Sequence, residues 1–216
     1  MVLTLLWLDD FESYTVGVGI PAPWSGPTNA NVSNTVVQSG AKSLALGVGG
    51  NPSTTYRAFG SNPVGVQILF GLYIPTSGGA YVNCGWAISD AALPGSPVEF
   101  CLSDAAGASS PGTIRLVIGG VTIATASVTP DAWHVMEANL VCHAVSGSVE
   151  LKADGVTLFT YTGDTTVPGG GGASSWNLIT LIGKLQGPSP AAEWYIDNLS
   201  IYEATVDPQA MVMVMA

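Results

Sequence analysis

The chain has 216 residues, of which 47% are hydrophobic and only 9% are charged, against roughly 25% charged residues in an ordinary soluble domain. The formal net charge is −10, with five lysines and arginines in total, which is the wrong sign for binding a nucleic-acid backbone. No apolar run approaches the ~18 residues of a membrane-spanning helix. Composition therefore predicts neither a nucleic-acid partner nor a membrane partner.

The scarcity of charge has two interpretations. A sandwich rich in Gly, Ala, Ser and Thr can have a polar but neutral surface, or neighbouring subunits can cover much of the surface, since interface cores are depleted in charge. The second interpretation is slightly favoured and predicts an assembly. The amino terminus lacks a basic residue before its apolar run and a small-residue cleavage site, so we interpret it as a first strand in a cytosolic product.

Taken in order, the chain consists of short strand-like segments separated by glycine- and proline-rich turns. No segment has a convincing 3.6-residue period, and turn signals recur roughly every ten residues, which is typical of an all-β sandwich. About a dozen strands are expected, from the segments 3–8, 31–38, 42–48, 51–60, 66–74, 81–88, 98–102, 113–118, 121–126, 133–143, 148–153, 156–161, 176–182 and 193–203.

Two dipeptides predict tight hairpins. Asp154-Gly155 and Gly119-Gly120 each stand between strand-like segments, and two-residue hairpin loops favour residues that tolerate positive φ. The first dipeptide closes a meander over 133–163, in which apolar and polar residues alternate along 148–153. Such alternation predicts one buried face and one polar face.

Three stretches of the chain carry recognisable motifs: the "DDFE" start within Leu8–Tyr14, the meander of Trp133-His134-Val135, Gly147-Ser148-Val149 and Asp154-Gly155, and the closing strand Trp194–Tyr202. Together they resemble the concanavalin A-like lectin/glucanase superfamily, which includes laminin-G-like domains, in its bacteriophage virion-protein type. The ordered set spans nearly the whole chain. The resemblance implies an antiparallel jelly-roll β-sandwich, a fold that hosts lectins, glycosidases, lyases and virion proteins.

The catalytic carboxylates of the related glucanases have no counterpart in this sequence. Those enzymes carry an E-x-D-x-x-E strand, whereas Glu193 and Asp197 are four residues apart, roughly 13 Å at the usual rise of a strand. Retaining glycosidases need a separation of roughly 5 Å. The lyases of this fold use arrays that include basic residues, which are scarce here. The sequence therefore predicts that the chain is not an enzyme.

A calcium site is predicted between the first and last strands, as the resemblance implies. The positions that match are Asp9, Asp10, Glu12 and Asp197. Their carboxylates suit calcium, because hard cations prefer several oxygen ligands. The buried face of the last strand switches parity near Asp197-Asn198, which indicates a β-bulge that can re-aim a carboxylate. The alternative is that these two residues satisfy backbone groups at the bulge.

Carbohydrate binding is predicted at exposed aromatic residues. Trp24 stands in a Pro/Gly-rich loop, and Tyr56 follows in a polar strand. Trp86, Trp176 and Tyr81 are further candidates for the same role, but aromatic residues of a sandwich more often belong to its core. Trp24 is the candidate with the best expected exposure.

The chain divides into a jelly-roll domain over 1–205 and a carboxy-terminal tail over 206–216. The tail alternates methionine and valine without charge, so a free tail would be an aggregation-prone edge. We expect Met211, Val212, Met213, Val214 and Met215 to contact a neighbouring subunit, and an added strand is one way to form that contact. The alternative is that the tail packs on its own sheet.

These observations lead to a first hypothesis of a non-enzymatic virion protein of a tailed bacteriophage. It would be a capsid decoration (cement) protein, assembled in the host cytoplasm as a homo-oligomer, with a trimer favoured, on the major capsid protein. The alternatives are a phage tail or fibre component or another carbohydrate-binding module. A polysaccharide-degrading enzyme is the last alternative.

Overall fold

The computed structural model describes residues 2–17, 19–25, 30–47, 53–76, 84–89, 98–102, 112–166, 175–184 and 193–205. These residues form strands joined by turns, as the sequence predicts. The strands are β1 (Val2–Asp9), β2 (Asn31–Ser33), β3 (Ser43–Leu46), β4 (Ser53–Ala58), β5 (Gly65–Tyr73), β6 (Gly85–Ser89), β7 (Val98–Cys101), β8 (Thr113–Ile118), β9 (Val121–Ser127), β10 (Trp133–Val141), β11 (Gly147–Ala153), β12 (Val156–Gly163), β13 (Leu178–Lys184) and β14 (Trp194–Thr205).

Two antiparallel sheets form a sandwich, and the predicted jelly-roll class is confirmed. The larger sheet has the order β12-β11-β10-β5-β14-β3-β2, and β1 also pairs with β14. The smaller sheet has the order β4-β13-β6-β7-β8-β9. The first and last strands are therefore neighbours, with Val2 opposite Thr205. The described residues include no helix long and apolar enough to cross a membrane.

Aromatic side chains join the two sheets in the core. The ring of Phe70 on β5 meets Trp86 on β6 edge-on at a centroid distance of 5.0 Å. Trp86 in turn stacks on Phe100 of β7 at 5.0 Å, and Phe100 stacks on Phe159 of the larger sheet at 6.3 Å. Rings in such offset and edge-on arrangements gain more than their buried area alone. Trp86 therefore belongs to the core, not to an exposed platform.

The backbone confirms the predicted turns and the predicted bulge. Asp154 and Gly155 have φ of 51° and 77°, and Gly119 and Gly120 also have positive φ. The pairing of β14 with β5 shifts register between Asp197 and Ser200. The parity switch read from the sequence is thus a real irregularity of the last strand.

One predicted strand is shorter in the structure, and two predicted features fall on residues that the structure does not describe. The segment predicted at 31–38 forms a strand only over Asn31–Ser33. Strand β5 lies between β10 and β14, and its outward residues Leu69 and Tyr73 are partly exposed, so its outer face is not fully covered. Tyr81 and the 206–216 tail, including Met211 to Met215, lie outside the described residues, and the predicted subunit contact stays a prediction.

Candidate functional site

Asp9 is the centre of a buried hydrogen-bonding cluster. Its Oδ2 accepts hydrogen bonds from the Tyr14 hydroxyl at 2.7 Å, the Trp24 indole at 2.8 Å and Arg57 Nη1 at 3.1 Å. Its Oδ1 accepts one from the backbone N–H of Phe11 at 3.1 Å. A buried carboxylate with this many donors is a structural anchor. The pKa of Tyr14 rises to about 12 through burial and through its bond to Asp9.

The expectation that Trp24 is exposed is wrong. Its side chain is 4% exposed, and its ring meets Trp7 edge-on at 5.8 Å. Trp24 turns inward because its indole N–H has a charged acceptor, Asp9, inside the protein. A buried ring cannot stack on a sugar, so Trp24 does not serve the predicted role in this structure.

Tyr56 lies on β4, at the edge of the smaller sheet, and is 40% exposed. Ser25 and Tyr56 exchange two backbone hydrogen bonds of 2.9 Å. This pairing places the Trp24 segment beside Tyr56, but the Trp24 ring is turned inward. The two aromatic residues therefore do not form a joint platform, and a role for Tyr56 alone stays a prediction.

The four carboxylates predicted to bind calcium do not converge on an ion site. Glu12 Oε1 accepts hydrogen bonds from the backbone N–H groups of Ala41 and Lys42 at 2.8 and 2.9 Å. Asp10 Oδ1 accepts one from the N–H of Glu12, at an exposed turn. Among the described residues, which include all four candidates, no three His, Cys, Asp or Glu side chains could hold a metal ion.

Asp197 serves the backbone at the bulge, which was the alternative interpretation. Its Oδ2 accepts hydrogen bonds from the N–H groups of Gln38 and Ser39, both at 3.1 Å, and its Oδ1 accepts one from Asn198 at 2.8 Å. Burial raises the pKa of Asp197, although these three donors oppose the shift. The residues at this position fit backbone donors better than calcium.

A polar network crosses the outer face of the larger sheet. Glu137 and Asn139 project from β10, and Glu150 and Lys152 project from β11, directly opposite them in the register. Gln67 on β5 donates to Asn139 Oδ1 at 2.9 Å. The alternation that buries Met136, Ala138 and Leu140 turns these polar side chains outward. One face of three adjacent strands thus carries two carboxylates, two amides and one ammonium group.

The two carboxylates of this network share the same pair of donors. Lys152 Nζ lies 3.2 Å from Glu137 Oε1 and 3.1 Å from Glu150 Oε2. Asn139 Nδ2 donates to the same two oxygens, at 2.8 and 3.2 Å. The two oxygens therefore lie at most about 6 Å apart, since each is within hydrogen-bonding distance of one nitrogen. Both side chains are about one-third exposed, at 30% and 33%, so a ligand can reach them.

The chemistry of Glu150 differs from that of an isolated glutamate. Burial raises its pKa, but hydrogen bonds from Lys152 and Asn139 outweigh that effect, and the pKa is lowered overall. Hydrogen bonds to Glu150 and then to Glu137 raise the pKa of Lys152. A groove of about 370 Å³ adjoins Glu150 and opens on the same sheet. Its lining includes Asn139, Val141, Ser148, Glu150, Thr160 and Thr162.

Sequence reasoning missed this carboxylate pair. The acidic motif of the related glucanases lies within one strand, whereas Glu137 and Glu150 stand on two strands, diagonal to each other. The alternation in 133–143 and 148–153 contained the signal that these side chains share a face. The sequence did not predict the register between β10 and β11, because the two strands are not joined by a two-residue turn that would fix their pairing.

A second polar group lies on the outer face of the smaller sheet. Glu99 on β7 stands between Ala87 and Val117 of the adjacent strands. Burial raises the pKa of Glu99, against the opposing effects of Cys101 and Arg115. Burial, followed by the charge of Glu99, raises the pKa of the Cys101 thiol to about 11. Cys101 is thus no thiolate nucleophile at neutral pH.

No family model matches the chain, and no curated protein matches it. Among solved structures, the alginate lyase Aly36B matches with a TM-score of 0.60 and 12% identity, covering 93% of this chain and 97% of its own. A carbohydrate esterase of the Shiga toxin-encoding bacteriophage phi24B matches at 0.58 and 15%, covering 94% and 100%. The GH131 β-glucanase catalytic domain of Podospora anserina matches at 0.54 and 16%, covering 94% and 97%. At these identities the likeness establishes the jelly-roll fold.

These neighbours correct the functional prediction. They are enzymes that act on carbohydrates, which contradicts the hypothesis of a non-enzymatic capsid decoration protein and the expectation of no enzymatic activity. The bacteriophage virion type of the resemblance gains no support from them. The polysaccharide-degrading enzyme, placed last among the alternatives, becomes the function to test.

Proposed function

We propose that this protein is a glycoside hydrolase in which Glu137 and Glu150 act as paired carboxylates on the outer face of the larger sheet. The observation that carries the proposal is their shared contact with Lys152 and Asn139, which holds the two carboxylates within about 6 Å of each other. The GH131 β-glucanase catalytic domain, which shares the jelly roll, supports the reaction class.

The spacing is compatible with a retaining mechanism. In such enzymes two carboxyl groups roughly 5 Å apart flank the glycosidic bond. One attacks the anomeric carbon and forms a glycosyl ester, while the other donates a proton to the leaving oxygen. The second group then accepts a proton from water, whose oxygen attacks the anomeric carbon and releases the sugar from the ester.

Glu150 suits the role of the nucleophile. Its lowered pKa keeps it ionised in the presence of Lys152 and Asn139, and a carboxylate must be ionised to attack. Glu137 is then the group that donates a proton to the leaving oxygen and later accepts one from water. Lys152 lies between the two carboxylates and offsets their mutual repulsion. Its Nζ fixes their positions through contacts of 3.2 Å to Glu137 Oε1 and 3.1 Å to Glu150 Oε2.

The test measures turnover of a panel of polysaccharides by the full-length chain, and the readout is the release of reducing ends. Substitution Glu150→Gln or Glu137→Gln removes one carboxylate and keeps the side-chain volume. Each change is expected to lower kcat by roughly 100-fold or more. Glu99→Gln is the matched control, because it makes the same change on the opposite sheet and is expected to leave kcat unaltered.

A second measurement separates the two roles. With Glu150→Ala, added azide is expected to restore turnover of an activated aryl glycoside, because a small anion can occupy the place of the missing nucleophile. If Glu150 is the nucleophile, the glycosyl azide product has the inverted anomeric configuration, because azide attacks the substrate directly. If Glu150 is the proton donor, azide attacks the glycosyl ester instead, and the product has the retained configuration. If Glu99→Gln loses activity while Glu137→Gln and Glu150→Gln keep it, the reaction takes place on the smaller sheet. A wild-type chain that turns over no polysaccharide would refute the proposal.

A further inference from the structure

Three aromatic residues form a row across the outer face of the larger sheet. Trp133 on β10 lies opposite Tyr73 on β5, and Tyr73 lies opposite Tyr195 on β14. The ring centroids are 5.6 Å apart in the first pair and 6.0 Å apart in the second. Trp133 and Tyr73 are half-exposed, whereas Tyr195 is 8% exposed. The Tyr73 ring thus lies between the Trp133 ring and the buried Tyr195 ring, and the Tyr195 ring supports it.

Polar groups border this row. The Tyr195 hydroxyl donates a 2.8 Å hydrogen bond to Glu193 Oε2, and Glu193 is half-exposed. On the next rung of the sheet, Gly71 has no side chain, and the Gln38 amide occupies the space above it. A mostly apolar surface bordered by a few fixed polar groups is the usual composition of a small-molecule site.

The charge around the row selects the ligand class. Glu193 borders it, and Glu137 and Glu150 lie further along the same face, with Lys152 as their ammonium partner. The whole chain carries a net charge of −10. A polyuronate such as alginate would be repelled by this face, since like charges disfavour association. A neutral sugar meets no such penalty, and its C–H groups suit the electron-rich faces of the rings.

We infer that the row of Trp133, Tyr73 and Tyr195 is a binding subsite for one pyranose unit of a neutral polysaccharide. This inference rests on the proposed function for its place in the reaction. Trp133 and Glu137 share one face of β10, four residues apart, which corresponds to about 13 Å. The sugar at the row is therefore not the unit that is cleaved, and the polysaccharide runs along β10 between them.

The binding experiment uses the full-length chain with Glu150→Gln, so that no turnover interferes. Isothermal titration calorimetry with a linear β-1,4-linked glucohexaose is compared with a hexauronate of the same length. The glucohexaose is expected to bind and the hexauronate is not. Trp133→Ala is expected to weaken binding roughly tenfold, as loss of an aromatic contact predicts. Trp133→Leu, which keeps apolar volume, shows whether the aromatic ring itself is required.

Ile123→Ala is the control, because Ile123 is an exposed apolar residue on β9 of the other sheet. It is expected to leave the affinity unchanged. Folding of each variant is checked by near-UV circular dichroism. The inference is overturned if folded Trp133→Ala and Trp133→Leu bind as tightly as their parent, if the hexauronate binds better, or if neither hexasaccharide binds.

The outcomes also separate this inference from the proposed hydrolysis. Binding that depends on Trp133, in a wild-type chain that cleaves nothing, would keep the subsite and refute the hydrolase. Cleavage of a polysaccharide with a KM that Trp133→Ala leaves unaltered would keep the hydrolase and refute the subsite.

Discussion

The indole N–H of Trp24 donates a 2.8 Å hydrogen bond to Oδ2 of Asp9. The sequence assigned these two residues to different functions, a sugar platform and a calcium site. In the structure they share one buried cluster with Tyr14 and Arg57. Both residues therefore stabilise the fold at the end of β1, away from the proposed site on the outer face of the larger sheet.

Removing the Asp9 carboxylate should destabilise the protein strongly. Asp9→Ala leaves the Arg57 charge and the Trp24 N–H without their shared acceptor, and we expect a loss of about 3 to 5 kcal/mol in the free energy of unfolding. Asp10→Ala, at the neighbouring exposed residue, should cost less than about 1 kcal/mol. Urea unfolding of both variants measures the difference. Equal effects would contradict the role of Asp9 as an anchor.

Calcium should have no effect on thermal stability. Glu12 and Asp197 already accept backbone hydrogen bonds, and a ligand raises the melting temperature only if the native state binds it. We therefore expect the same Tm in excess calcium and in excess chelator, measured by scanning calorimetry. A calcium-dependent rise that Asp197→Asn abolishes would show that the carboxylates rearrange around an ion.

Asp154 should make stability depend on pH. Its carboxylate accepts hydrogen bonds from His134 Nδ1 at 2.7 Å and from the Val135 N–H at 2.8 Å. The His134 bond and then the Val135 bond lower the pKa of Asp154. A carboxyl group whose pKa is lower in the folded state stabilises it above the unfolded pKa of about 4, and this contribution is lost as pH falls through the folded pKa.

The comparison with Asp154→Asn isolates this effect. Asparagine tolerates the positive φ of the turn, so the hairpin should remain. The stability difference between wild type and Asp154→Asn should be largest above about pH 4 and should shrink at lower pH. Chemical denaturation at several pH values tests it, and a difference that grows on acidification would reverse the assigned sign.

Gly85 should not tolerate a side chain. Its φ is 139°, and a Cβ at this position would collide with the backbone carbonyl oxygen of Phe100 on the adjacent strand. We expect Gly85→Ala to cost roughly 3 kcal/mol or more, because neither the conformation nor the contact can relax cheaply. Gly120→Ala is the control. Its φ is also positive, at 80°, but its Cβ would meet open space, and about 1 to 2 kcal/mol is expected. Thermal unfolding of both variants gives the comparison.

The local features of this protein were determined by the sequence alone. Alternation along 148–153 predicted the buried and polar faces of β11, Asp154-Gly155 predicted its hairpin, and the parity switch at Asp197-Asn198 predicted the bulge. Each of these depends on neighbours within a few residues, because strand periodicity and turn conformation are set by local backbone geometry.

The partners of distant residues were decided by the tertiary structure. Asp197 meets the N–H groups of Gln38 and Ser39, which lie some 160 positions earlier in the chain, and Asp9 meets Arg57. Glu137 and Glu150 become a pair only through the register of β10 on β11. No local pattern specifies such contacts, since they follow from how whole strands align and pack. For that reason the burial of Trp24 and the position of the candidate site emerged only from the folded chain.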